Sequence, residues 1–145
     1  MNAKAYRPRR EEFRYYYTVG TRWGDHDSYG HVQNIVYYSF FDSAISHFLV
    51  ERGTLDIDNS PVIGLIVESS CTFLSPITFP DVVTVGLRIT HLGTSSVRYE
   101  LGIFRNDESE ASELGYVVYV YVDRASNTSV AIPEGVRREL RGLAD

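Results

Sequence analysis

The segment "IVYYSFFDSAISHFLV", residues 35–50, constrains the fold more than any other stretch. Its period is that of a helix, and its polar members Ser39, Ser43, Ser46 and His47, with Glu51 beyond, leave only a narrow solvent-facing stripe. Asn34 reads as the N-cap and Gly53 as the C-terminal stop. The run is shorter than the roughly 18 apolar residues of a membrane span and carries Asp42 and His47. A helix so apolar has to be enclosed, and here the enclosure must come from protein rather than lipid.

Five stretches can supply it. Phe13 to Trp23 alternates, which predicts a strand with Phe13, Tyr15, Tyr17, Val19, Thr21 and Trp23 on one face. Leu65–Phe73, Val82–Leu92 and Val97–Phe104 follow as strands. Tyr116–Val122 is an unbroken apolar run, as expected of a strand covered on both sides. "SPITFPD", "HLGTSS" and "RNDESEAS" mark the turns, and "PEGVRRELRGLAD" reads as a short surface helix. The order strand, buried helix, four strands predicts an α+β fold: a curved antiparallel sheet of about five strands around one long central helix. Phe41, Ile45 and Phe48 should pack under its concave face. Pattern leaves the strand order open.

With 145 residues, one domain spanning 1–145 suffices, with residues 1–11, which hold Lys4, Arg7, Arg9 and Arg10, as a flexible basic tail. A net charge of −5 argues against a nucleic-acid partner. The single cysteine, Cys71, allows no internal disulfide, and the basic start lacks a secretory h-region, so a cytoplasmic location is expected. Eleven tyrosines and seven phenylalanines are more aromatic surface than a small monomer readily hides, which points to an oligomer.

Directly before the helix stands "RWGDHDSYGHVQN", residues 22–34, which packs two aspartates, two histidines and two glycines into one loop. A helix N-terminus offers free amides and partial positive charge, a fit partner for a reacting carboxylate or a developing oxyanion. Asp27 is therefore either a turn-capping loop residue or a reactive carboxylate. Asp25 reads as structural, bonding loop amides, and His26 as exposed. His31 either orients Asp27 or is structural, and Gly30 serves backbone geometry. The acids and histidines lie in one tight loop with no second ligand cluster, so no metal is expected. Tyr37 and Tyr38 read first as core, and Asp42 as a partner in a buried hydrogen bond, within the chain or across a dimer interface, with a second catalytic acid as the alternative. Glu68 and Ser70, on the next strand, are candidates for a site wall.

The stretch "DHDSYGHVQNIVYYSFFDSA" resembles the signature of the hotdog-fold acyl-CoA thioesterases of the 4-hydroxybenzoyl-CoA thioesterase type. Asp25, Asp27, Gly30, His31, Val32, Asn34 and Tyr37 match that pattern, whereas Gln33 replaces the commoner Asn and Asp42 stands where many relatives carry Glu. "FLSPITFPDVVTV", "LGTSSVRYEL" and "VVYVYVDRASNTSVAIPEGVRREL" resemble later family segments in order. The resemblance implies hydrolysis of an acyl-CoA to free acid and CoA, with Asp27 as nucleophile or general base and the backbone N–H of Asn34 as oxyanion donor, His31 beside them. It implies substrate contacts at Gly30 and Tyr37, and CoA contacts at the Gly93–Ser96 turn (Ser95 and Ser96) and at a surface cation such as Arg98. No cofactor is implied, because CoA is part of the substrate. A homodimer at minimum, and a dimer of dimers, is implied, since the pantetheine arm lies between subunits in this family. The alternatives are another hotdog acyl-thioester enzyme, a hydratase or dehydratase, and a non-catalytic acyl-CoA-binding protein.

Overall fold

A computed structural model describes residues 6–144. Five strands, β1 (Tyr15–Gly20), β2 (Val62–Phe73), β3 (Val82–Leu92), β4 (Ser96–Arg105) and β5 (Glu113–Asp123), form one antiparallel sheet in the order β1-β3-β4-β5-β2. Helix α1 (Asn34–Glu51) lies on the concave face and packs on β1 and β3, in the hotdog arrangement. A short helix, α2 (Glu134–Arg141), packs beside β3, where the Ile89 amide donates to the Leu143 carbonyl. No helix among the described residues is long and apolar enough to cross a membrane.

The core is where the sequence places it. Phe41, Ile45 and Phe48 of α1 are at most 1% exposed and meet Val83, Val85, Leu87, Leu101 and Ile103 of the sheet. Fully burying each such side chain contributes roughly 1.5–3 kcal/mol. α1 ends at Gly53, whose φ of +69° is the left-handed turn a helix stop requires. At its other end the cap is Gln33 rather than Asn34, which is already the first helical residue. The Gln33 side chain does not cap; its amide donates to the His26 carbonyl at 2.8 Å and ties the preceding loop.

The sheet encloses only part of the helix. Ile35 and Val50 are 72% and 49% exposed, so the apolar circumference exceeds what one chain wraps. The edge strand β2 repeats the pattern with exposed Leu65, Ile66 and Val67 at a bulge between Ile66 and Glu68. β5 alternates buried and half-buried residues instead of being covered on both sides, because its outer face carries Tyr116, Val118 and Val120 with no layer above them.

Phe13 and the basic head depart from expectation. Phe13 does not share a face with Tyr15, Tyr17 and Val19. It crosses to the convex side, against Phe104 and Ala111, where Gly86 and Gly102 leave room for its ring; a Cβ on either glycine would come within 2.9 Å of it. Trp23 leaves the strand altogether, in a single 3-10 turn (Trp23–Asp25). Residues 6–11 are not a free tail: Ala111 donates to the Pro8 carbonyl, Arg10 reaches the carbonyls of Asn106 and Glu108, and Arg7 reaches that of Leu74. The arginines are held because the strap they ride covers Phe13's notch. Residues 1–5 of the expected tail lie outside the described residues.

Candidate active site

The loop between β1 and α1 is built around two aspartates with different tasks. Asp25 is 2% exposed; its carboxylate accepts the Arg22 amide at 2.7 Å and the Arg22 guanidinium at 3.1 Å. Its backbone accepts from Gln33 and anchors the entry to α1. Asp25 is structural, as its sequence context suggests. Asp27 points to solvent. Its Oδ1 accepts the amides of Tyr29 at 2.8 Å and His31 at 3.2 Å, and those backbone N–H groups, Tyr29 first, hold its carboxyl below the usual carboxylate range. It is therefore an anion at neutral pH. Gly30, at φ +76°, supplies the left-handed turn that folds the two amides back onto Asp27.

A cavity of about 150 Å³ joins Asp27 and His31 to Val32, Asn34, Tyr37, Phe73, Ser75 and Pro76. Because Asn34 is the first residue of α1, its N–H is among the amides that the helix leaves without an internal partner. An anionic carboxylate and a helix amide thus face one small space, beside the positive end of the α1 dipole. Tyr37 is 3% exposed and forms the floor, with its ring edge-on to Phe73 at 5.3 Å. Burial raises its phenol well above the usual value, so it stays neutral.

Of the residues singled out in the sequence, Asp27, His31, Asn34 and Tyr37 meet here, with Gly30 shaping the loop. Glu68, Ser70, Ser96 and Arg98 do not, and Ser95 stays in the turn before β4. The strand alternation that points Phe73 and Glu113 inward turns Ser70 and Tyr116 outward, and Ser96 and Arg98 share that outer face of β4. There the Arg98 guanidinium lies 3.7 Å from the Tyr116 ring centre, and Tyr116 donates to Glu68 at 2.7 Å. Within the single chain Asp42 is exposed on α1, and Tyr119 of β5 donates to it at a long 3.4 Å.

Two further positions beside the site were not singled out from the sequence. His26 is not idle: its Nε2 accepts the Phe79 amide at 2.6 Å and lies 3.2 Å from Thr78 Oγ1, while its ring packs edge-on between Trp23 and Phe79. It pins the β2–β3 loop to the Asp27 loop, and its hydrogen-bond partners lie more than 50 residues away, so no local pattern reveals it. Glu113 is fully buried beside Phe73; the Cys71 thiol donates to its Oε1, and its Oε2 has no partner among the described residues. Burial pushes its carboxyl up to about 8 and the Cys71 thiol up as well. Its signal was in the sequence, since Glu113 is in phase with Gly115, Val117, Tyr119 and Tyr121 on the inward face.

Residues 21–140 match the model of the thioesterase-like superfamily. Among solved structures, a protein of Pseudomonas aeruginosa strain PAO1 is 47% identical over 96% of this chain and 97% of its own, with a TM-score of 0.93. A gentisyl-coenzyme A thioesterase is 27% identical over 87% of this chain and 99% of its own, with a TM-score of 0.77. A 1,4-dihydroxy-2-naphthoyl-CoA thioesterase from Synechocystis shares the fold at 16% identity, with a TM-score of 0.79 over 87% of this chain and 94% of its own. Among curated proteins, none matches the sequence.

Proposed function

Because the chain belongs to the thioesterase-like superfamily, we propose that it hydrolyses acyl-CoA thioesters to free acid and CoA at the Asp27 corner. The observation that carries this reading is the pairing of an ionised Asp27 with the Asn34 amide across one cavity at the head of α1. As water or the carboxylate adds to the thioester carbon, charge grows on the carbonyl oxygen. The Asn34 N–H donates to that oxygen, and one such donor is worth about 3 kcal/mol of transition-state stabilisation. Asp27 serves as the nucleophile or as the base that takes the proton of water; its two amide partners fix its direction in either case. The CoA thiolate leaves and takes up a proton given up by the water; on the nucleophile route, water then hydrolyses the acyl–Asp27 anhydride and frees both the acid and the Asp27 carboxylate. His31 flanks the acid, and Tyr37 and Phe73 exclude water from one side.

The working unit in this proposal is at least a homodimer, and a dimer of dimers fits it further. The exposed apolar residues of α1 and of the β2 edge need cover. Glu68, Ser70, Ser95, Ser96 and Arg98 lie away from their own protomer's Asp27 corner, so they serve a CoA only at the corner of another copy. Light scattering should report an assembly of two or more chains at micromolar concentration. A stable monomer would remove the CoA half of the proposed site.

The test of the activity is a panel of acyl-CoA substrates read by thiol release. A thioesterase frees thiol from at least one member. A hydratase alters the acyl chain without freeing thiol, and a binding protein does neither; either result would overturn the proposal.

A further inference from the structure

Three cavities follow the line where α1 runs beside β2. The first is the Asp27 corner, closed by Tyr37 and Phe73. The second, about 530 Å³, begins one residue further along the helix, between Ile35, Tyr38 and Asp42 on one side and Ile66 and Ser69 on the other. The third, about 320 Å³, shares Asp42 and Ile66 with the second and runs on past Ser46 to Tyr119 and Tyr121. The opposite flank of α1 also has a hollow, but that one holds Asp25 and neither Asp27 nor Asn34. The second and third cavities share no lining residue with the Asp27 corner either; what ties the β2 flank to that corner is Phe73, the last residue of β2, which closes it.

The chemistry changes along this flank. Aliphatic residues form about half of its walls, among them Leu49, Leu55 and Val62 in the third cavity. Asp42 stands at the junction of the second and third, and among the described residues the hydrogen bond it accepts is the long one from Tyr119. A carboxylate has about four acceptor positions, so Asp42 retains capacity for a further donor. A plain hydrocarbon laid over it would strip water and return nothing. A hydroxyl would donate to Asp42 and accept from Tyr119.

We propose that the seam between α1 and β2 seats the acyl chain of the substrate, and that this chain carries a hydroxyl near its far end, held by Asp42 and Tyr119. The inference rests on the thioesterase reading, because it takes the Asp27 corner as the place of the thioester. Length follows from the helix. Asp42 lies eight residues beyond Asn34, about 12 Å along the axis. An extended chain advances about 1.2 Å per bond, so the hydroxyl belongs about ten bonds from the thioester carbon. A second copy seated on the β2 edge would roof the groove and deepen the discrimination.

The experiment compares 10-hydroxydecanoyl-CoA with decanoyl-CoA, in turnover by the native protein and in calorimetric binding to the Asp27→Asn variant. The hydroxylated chain should be favoured about tenfold or more in kcat/KM, the effect of one hydrogen bond to a charged group. Asp42→Leu should abolish or reverse that preference through KM with kcat little changed, and Tyr119→Phe should weaken it while keeping the ring. Asp42 is exposed, so the leucine variant is expected to fold, and circular dichroism checks this directly. Equal use of both substrates by the native protein, or a preference that survives Asp42→Leu, overturns the inference and leaves hydrolysis intact. Absence of turnover on both substrates, with a binding preference that Asp42→Leu removes, counts against the thioesterase reading and supports the seam.

Discussion

Glu113 makes the stability of this protein depend on pH in a calculable direction. In the folded chain its carboxyl is pushed up to about 8 by burial, against an ordinary value of 4.5. Once the chain unfolds, the side chain meets water and releases its proton near the ordinary value. Between those two pH values the folded state holds a proton that the unfolded state has lost, so stability falls as pH rises through that window. At about 1.4 kcal/mol for each tenfold change in proton affinity, the whole effect approaches about 5 kcal/mol, of which about 3–4 kcal/mol falls between about pH 5 and pH 8. Glu113→Gln keeps the shape and cannot ionise. Urea denaturation followed by circular dichroism, at about pH 5 and about pH 8, gives the comparison. The native protein should lose several kcal/mol more across the interval than the variant, and the variant should be the more stable of the two at the higher pH. Subtracting one protein from the other removes every group they share. If the two lose stability in parallel, within the roughly 0.5 kcal/mol of an ordinary surface change, then Glu113 is not neutral in the folded state, and water or a rearrangement of Cys71 satisfies its charge.

Asp27→Asn should lower kcat by about 100-fold or more, the low end for losing a general acid–base group, and steady-state assays retaining more than about a tenth of native turnover would exclude it. Phe48, 1% exposed at the centre of the core, should cost about 3–5 kcal/mol when cut to alanine; a loss below about 0.5 kcal/mol by denaturant titration would mean that the helix presents another face. Gly115→Ala places a Cβ 2.4 Å from both the Phe41 ring and the Ser70 carbonyl, so a loss of about 1–3 kcal/mol from overpacking is expected in the same titration, and a neutral outcome would show that the sheet yields there.

Much of the architecture was legible because it rests on periodic patterns. The apolar period of α1 and the alternation of β3 and β4 are local signals, and their boundaries match to within a residue or two. Asp27 and Asn34 stood out because their motif resembles the family signature, and the fold does bring them into one cavity. Positions decided by pairing across the chain escaped. Phe13 continues the alternation of β1, yet it sits on the convex face, because Gly86 and Gly102, more than 70 residues away, leave a notch there that its ring fills. Glu68 and Ser70 lay close enough in sequence to be chosen as wall residues, but strand register assigns that place to Phe73. Asp42, set among apolar helix neighbours, is exposed within the single chain, because the sheet curls around only part of the helix.

The strand order has a consequence for how the chain comes into being. β1 and β2 occupy the two edges, and their partners are β3 and β5. A ribosome that has finished β2 has therefore produced two strands and the most apolar helix of the protein without a single sheet partner for any of them. Only β3–β4 and β4–β5 join neighbours in sequence through short turns, so the three-strand meander is the part that assembles at low entropic cost. α1 waits for it with its core face open to water, the condition in which nascent chains aggregate or recruit chaperones. Moving the break in the chain to the loop between β2 and β3, by circular permutation, would let the meander emerge first and give the helix a surface to land on as soon as it is made.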